Sequence, residues 1–384
     1  MNANDPQLRS GARWHRAGIR ECAFTLVELL VTMAILSLLT LVLVSMVNQT
    51  GSLWRRTTSK IEEFREARTG FESLTRCLSQ ATLNTYWDYN DPNTPTKYMR
   101  QSELRFISGP GLLTGVNSPT PYPTQSLFFF APIGFVRPAS TTDSVSTNYQ
   151  GLDNLLNLWG YFIEYADDST LRPPFVNGKP HRRFRLMELM QPSQSLSIYS
   201  LEAQAGGNLK YVTPEWFQNA MSTSGDLPRP AHVLAENIIA LIILPKMTPA
   251  DQKKLGFNDA SLAPNYFYNS TGLDLMGTTK LSTTANASLN GTHQLPPIVQ
   301  VTMVAIDETS AALLSDADVR DLQAELSGLF ADPKKLSSDL TGKPTPPAAG
   351  LSLEDYLRKK RINYRVFTTD VSIRAAKWSS NQKN

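Results

Sequence analysis

One carboxylate sits where charge is costly. Glu28 lies near the start of Phe24–Val47 (FTLVELLVTMAILSLLTLVLVSMV), a run otherwise made of apolar and small hydroxyl side chains. A bilayer core takes roughly 20 apolar residues as a helix, so this run is long enough to span it. An ionised group inside such a span costs about 2.5–3.5 kcal/mol near the centre, and a partner of opposite charge is its usual compensation. Ion pairing is therefore the chemistry Glu28 offers. Upstream, Arg9, Arg13, Arg16 and Arg20 place positive charge on the N-terminal flank. That bias puts the N-terminus in the cytoplasm and the chain beyond Val47 on the other side.

The remaining reactive residue types form weaker patterns. His181, His232 and His293 stand apart from one another and from cysteine, and the sequence holds no HExxH, G-x-S-x-G or P-loop pattern. Catalysis is not expected, nor is a cofactor. Asp88, Asn90 and Asp91 crowd a turn and are weak calcium candidates. They lack the glycine and distal glutamate of an EF-hand loop. Turn chemistry accounts for them equally, because Asp and Asn side chains bond their local backbone. Basic groups at Arg55–Arg56, Arg182–Arg185, Lys253–Lys254, Lys334–Lys335 and Arg358–Arg361 are dispersed. None interleaves with aromatics in one strip, so nucleic acid is not an expected partner. Trp87, Trp159 and Trp378 read as core or interface aromatics. The 37 Lys and Arg residues nearly balance 34 Asp and Glu. Beyond the N-terminal flank, Cys77 is the one cysteine, so no intramolecular disulfide is expected there and a packed core must supply stability.

These residues need elements to hold them. After Val47 the helical pattern continues: Ile61, Phe64, Ala67, Phe71, Leu74, Leu78 and Ala81 recur at spacings of three and four, one apolar face. A continuous helix over about 25–82 would be roughly 85 Å long, with Gly51 as a place to bend. Strand-like runs come next at Glu103–Ser108, Ser126–Ala131, Trp159–Tyr165, Arg183–Met190, Asn237–Leu244, Ile298–Ile306 and Asn363–Arg374. Asn237–Leu244 reads equally as a short buried helix. Between the strands, Gly109–Gln125, Pro138–Asn148, Leu171–Pro180 and Met247–Pro297 are rich in Pro, Gly, Ser and Thr and read as surface insertions. Ser315–Phe330 and Ser352–Lys360 carry helix-capping signals, with Thr341–Gly350 a loop between them. The expected fold is α+β: a long N-terminal helix packed on an antiparallel sheet with long insertions.

Ala23-Phe24-Thr25-Leu26-Val27-Glu28, behind a basic leader and ahead of a spanning run, resembles the processing site of type IV prepilins and type II secretion pseudopilins. The resemblance implies cleavage by prepilin peptidase between Ala23 and Phe24, N-methylation of Phe24, and a role in assembly for Glu28 at the fifth mature position. Ala23 stands where that family usually has Gly. The order of helix and strands is similar to a J-type minor pseudopilin. The whole chain also resembles the Verru_Chthon cassette protein C family, through Gln80–Tyr89 (QATLNTYWDY), Gln101–Phe106 (QSELRF) and Tyr364–Trp378 (YRVFTTDVSIRAAKW). That family is prepilin-like, and its biochemical role is not established.

The implied organisation is a leader (1–23), a transmembrane helix (24–47), its amphipathic continuation (48–84) and a β-rich head (85–378) with a helical insertion near 310–361. The implied function is that of a minor pilin or pseudopilin, assembled with other such subunits through the N-terminal helix. Its location would be the bacterial inner membrane, in a single pass, with the head periplasmic or in a fibre. A membrane-anchored extracytoplasmic binding or display protein is the alternative, and an anchored hydrolase a more distant one.

Overall fold

The computed structural model describes residues 25–91, 93–114, 124–136, 152, 154–169, 175, 181–196, 198, 214–221, 229–275, 291–342 and 351–379. Ala23 and Phe24 lie outside these, as do Pro138–Asn148 and most of Leu171–Pro180 and Thr341–Gly350. The chain divides into two compact units, residues 1–60 and 61–384. The helical stretch is two helices rather than one. Helix α1 is Leu26–Glu63 and runs through Gly51 without interruption; α2 is Arg65–Leu78. The break falls at Phe64, whose ψ of 7° leaves the helical range.

The head is built on alternation. In chain order its elements are β1 (Tyr86–Tyr89), β2 (Tyr98–Gln101), β3 (Phe106–Pro110), β4 (Gln125–Pro132), β5 (Leu156–Ala166), β6 (Arg183–Gln191), α3 (Glu215–Met221), β7 (Ala231–Glu236), β8 (Ile238–Lys246), α4 (Pro249–Leu255), β9 (Tyr268–Asn269), β10 (Ile298–Ile306), α5 (Glu308–Leu313), α6 (Asp316–Gly328), α7 (Leu336–Thr341), α8 (Leu353–Lys359) and β11 (Tyr364–Ser372). All strand pairs among the described residues are antiparallel. They form a six-stranded sheet (β7-β6-β5-β4-β3-β9), a three-stranded sheet (β11-β10-β8) and the β1–β2 hairpin. The architecture is α+β and pilin-like, as the pattern predicted.

Side chains of period two send alternate residues to opposite faces. On β4, Leu127, Phe129 and Ala131 enter the main core, while Phe128 and Phe130 enter a second one behind the sheet. The main core lies between the six-stranded sheet, the three-stranded sheet and α2. Helix α2 contributes Ala67, Phe71, Leu74 and Leu78, the stripe read from the sequence. Phe71 meets Phe367 of β11 with ring centroids 5.7 Å apart. Gly70 faces β7, where an added Cβ would come within 3.0 Å of Ala235, so its missing side chain lets helix and strand close together. The second core closes with α3, whose Phe217 stacks on Phe128 at 4.3 Å.

Asn237 turns the chain from one sheet to the other. It separates β7 from β8 with φ of +61°, a conformation Asn tolerates better than most residues. Its N–H donates to Phe184 O, its carbonyl accepts from Ile306 N, and its Nδ2 donates to Glu308. Residues Asn237–Leu244, ambiguous in the sequence, therefore split into a corner and a strand. Strand β8 pairs with β10 from Ile238 to Lys246, which settles it as a strand. Met247–Pro297, expected as insertion, holds α4 and β9 in its described part. The late helices start where their caps placed them. Ser315 and Asp318 form a reciprocal capping box, and Ser352 Oγ accepts from Asp355 N.

Two consequences of this packing are measurable. At Gly160 of β5 a Cβ would lie 2.4 Å from the Phe128 ring and 3.2 Å from Leu189 Cβ. Gly160→Ala is expected to lose about 1–3 kcal/mol in denaturant unfolding, as overpacked cores do. His293 is partly buried, with Nδ1 3.0 Å from Ser102 Oγ. Burial, and then repulsion from Arg105 and Arg100, push its pKa down from 6.5 to about 4. The unfolded chain thus binds the proton first. The stability from this group is full above pH 6.5, falls by up to about 3 kcal/mol as pH drops toward 4, and is flat below. His293→Asn keeps the positive φ of 55° and should flatten that part of the pH–stability curve.

Candidate functional site

The site is built at the start of α1. Thr25 precedes the helix, and its Oγ1 accepts from Glu28 N at 3.2 Å. Glu28 Oε2 in turn accepts from Thr25 N and from Thr25 Oγ1, each at 3.2 Å. This is a reciprocal capping box, which satisfies two of the amide groups that every helix start leaves without intrahelical partners. Glu28 Oε1 takes no hydrogen bond among the described residues. The carboxylate is thus held by one oxygen, with the other open to a partner.

Around it the helix is bare. Every large apolar side chain from Leu26 to Val47 is exposed. Leu26–Gly51 has a mean hydropathy of 2.6. Within it the hydroxyls turn inward to the helix's own carbonyls: Thr32 to Leu29 O at 3.0 Å, Ser37 to Ala34 O at 2.9 Å and Thr40 to Leu36 O at 2.7 Å. Side chains satisfied in this way can enter lipid or pack against another apolar helix without stranding a donor. Exposed apolar surface on this scale marks a membrane or protein contact.

The turn candidates are placed differently. Asp88 Oδ1 accepts from Tyr89 N. Asn90 Oδ1 accepts from Thr96 N, Thr96 Oγ1 and Lys97 N, and Asp91 accepts from Asn93 N and Thr94 Oγ1. The Asn93 backbone bond, then Thr94, lowers the Asp91 pKa below the usual carboxylate range. These oxygens shape the connection between β1 and β2. Among the described residues no three His, Cys, Asp or Glu side chains converge to hold a metal ion.

The same hairpin carries a surface that sequence reasoning did not single out. Tyr86, Trp87, Tyr89 and Tyr98 are all exposed. Tyr89 and Tyr98 stack at 4.5 Å and share a hydroxyl hydrogen bond of 2.8 Å, while Arg100 lies 5.3 Å over Trp87 and donates to Lys377 O. Of the three tryptophans expected in a core or interface, Trp159 is in the core, Trp378 packs partly against it, and Trp87 is open. Among the basic groups, Arg183 and Arg185 pair with Glu236, Arg183 also with Glu308, Arg358 with Glu354 and Lys360 with Asp318.

Residues 19–44 match the family described as the prokaryotic N-terminal methylation motif. No curated protein and no solved structure matches the chain. The motif, carried on an apolar helix of membrane-spanning length, supports a membrane-anchored protein of the type IV pilin-like kind. Because an oxygen of each of Asp88, Asn90 and Asp91 is engaged by the turn, melting curves recorded with millimolar calcium and with chelator are expected to coincide. A calcium-dependent rise in the midpoint that Asp91→Asn abolishes would assign the metal there instead.

Proposed function

We propose that this chain is a minor subunit of a type IV pilus-like or type II secretion pseudopilus fibre. The observation that carries the reading is a single acid, Glu28, within an exposed apolar run of membrane-spanning length, Leu26–Gly51. Prepilin peptidase cleaves between Ala23 and Phe24, and the new α-amine of Phe24 is methylated. That amine, on a neighbouring subunit, is the cation that meets Glu28 as the helix leaves lipid for a bundle of like helices. An unpaired carboxylate in low dielectric is expensive, and a partner charge offsets that cost. The organisation is then leader 1–23, membrane helix 24–47, amphipathic continuation 48–84 and head 85–378. The protein sits in the inner membrane with its N-terminus cytoplasmic, and the head enters the periplasm or the fibre. A head of this bulk suits an occasional or tip position better than a repeated one.

The exposed hairpin favours a second reading, an anchored binding module in which residues 24–47 only tether. Two measurements separate them. The intact mass of the mature chain is expected to begin at methylated Phe24; a chain still beginning upstream removes the processing step. Glu28→Ala is expected to reduce recovery in sheared fibres by about tenfold or more, the scale for losing one desolvated ion pair, while membrane anchoring persists. Normal incorporation of the variant would sink the charge-pairing mechanism and leave the tethered module.

A further inference from the structure

A cavity of about 630 Å³ opens in the head, where α6 passes over the edge of β8 and the ends of β3 and β4. The β8 edge beside it is already closed. Leu241 N donates to Thr124 Oγ1 at 3.1 Å and Ile243 N to Gln125 Oε1 at 2.7 Å. A peptide cannot add there as a strand, because those donors are taken. The Ile243 bond also fixes which way the Gln125 amide faces, since only its oxygen can accept. Its Nε2 is left without a partner on a residue that is 3% exposed. Gln323 of α6 lines the same cavity, and its Nε2 is likewise buried and unpartnered. The other walls are largely aliphatic and aromatic, including Leu326, Leu329 and Phe330, and among the described residues no charged side chain lines them.

An amide donor buried without a partner loses its hydration with nothing to replace it, so two beside one cavity call for an acceptor. The volume falls in the range that small ligands occupy, and apolar walls with a few placed polar groups are the usual composition of such sites. The absence of charge among the described lining residues disfavours ions. We propose that this cavity binds a neutral, mainly aliphatic molecule bearing a carbonyl oxygen, the oxygen accepting from Gln125 and Gln323 while the chain lies against Leu326, Leu329 and Phe330. The site does not depend on the fibre reading, since it lies wholly within the head.

The test uses the full chain in nanodiscs and three eight-carbon probes: 2-octanone, octane and octanoate. Near-saturating 2-octanone is expected to raise the head's unfolding midpoint by about 3 °C, octane by less, and octanoate not at all. Ala324→Trp, from the exposed outer turn of α6, fills the cavity and should abolish the 2-octanone shift. Gln125→Leu also removes the cap on Ile243 and can unfold the chain, so Gln323→Leu on the half-buried face is the informative second variant. It should bring the 2-octanone shift down to that of octane. Equal shifts from all three probes, no shift from 2-octanone, or a shift that survives Ala324→Trp would each overturn the assignment.

Discussion

A helix whose large apolar side chains from Leu26 to Val47 all lie exposed is the constraint on which this protein depends. From Leu26 to Val47 no large side chain is buried, so the helix must be completed by lipid or by other helices. Its hydroxyls bond its own carbonyls and make no further demand. Glu28 alone does. The capping box with Thr25 meets the demand of one oxygen and leaves the other for a cation.

The head obeys a different constraint, that of burying both faces of a sheet. A six-stranded antiparallel sheet with aromatic residues at consecutive positions, such as Phe128, Phe129 and Phe130, needs cover on each side. One side receives the three-stranded sheet and α2, the other receives α3. The two sheets share a chain because Asn237 reverses direction in one residue between β7 and β8. Arg183, Arg185, Glu236 and Glu308 crowd that corner in charged hydrogen bonds. Gly160 and Gly70 mark where rings and strands approach closest, and there the space left by a missing side chain is itself part of the packing.

Much of this fold was legible in the chain. Periodicity of three and four placed the stripe of α2, β-branched runs placed β10 to the residue, and Ser-x-x-Asp spacing placed the starts of α6 and α8. Short or weakly alternating elements were not legible. The exposed hairpin β1–β2 buries no face and so leaves no hydrophobic period to read. Strand β9 has two residues, too few for any pattern. The break at Phe64 had no local signal either, since Phe64 belongs to the apolar face and neither Pro nor Gly adjoins it.

The sequence by itself determined the N-terminal logic. A basic flank, a small residue, Phe24, Glu28 and a spanning run make up the N-terminal methylation motif through local order alone, because each feature is read from its immediate neighbours. Only the tertiary structure decided the rest. It set Asn237 as a corner rather than the start of a strand, because that depends on which sheet each flanking segment joins. It turned Asp88, Asn90 and Asp91 toward their own turn. It also brought Gln125 and Gln323, nearly two hundred positions apart, to one cavity. Residues so distant in the chain share no period, and only folding makes them neighbours.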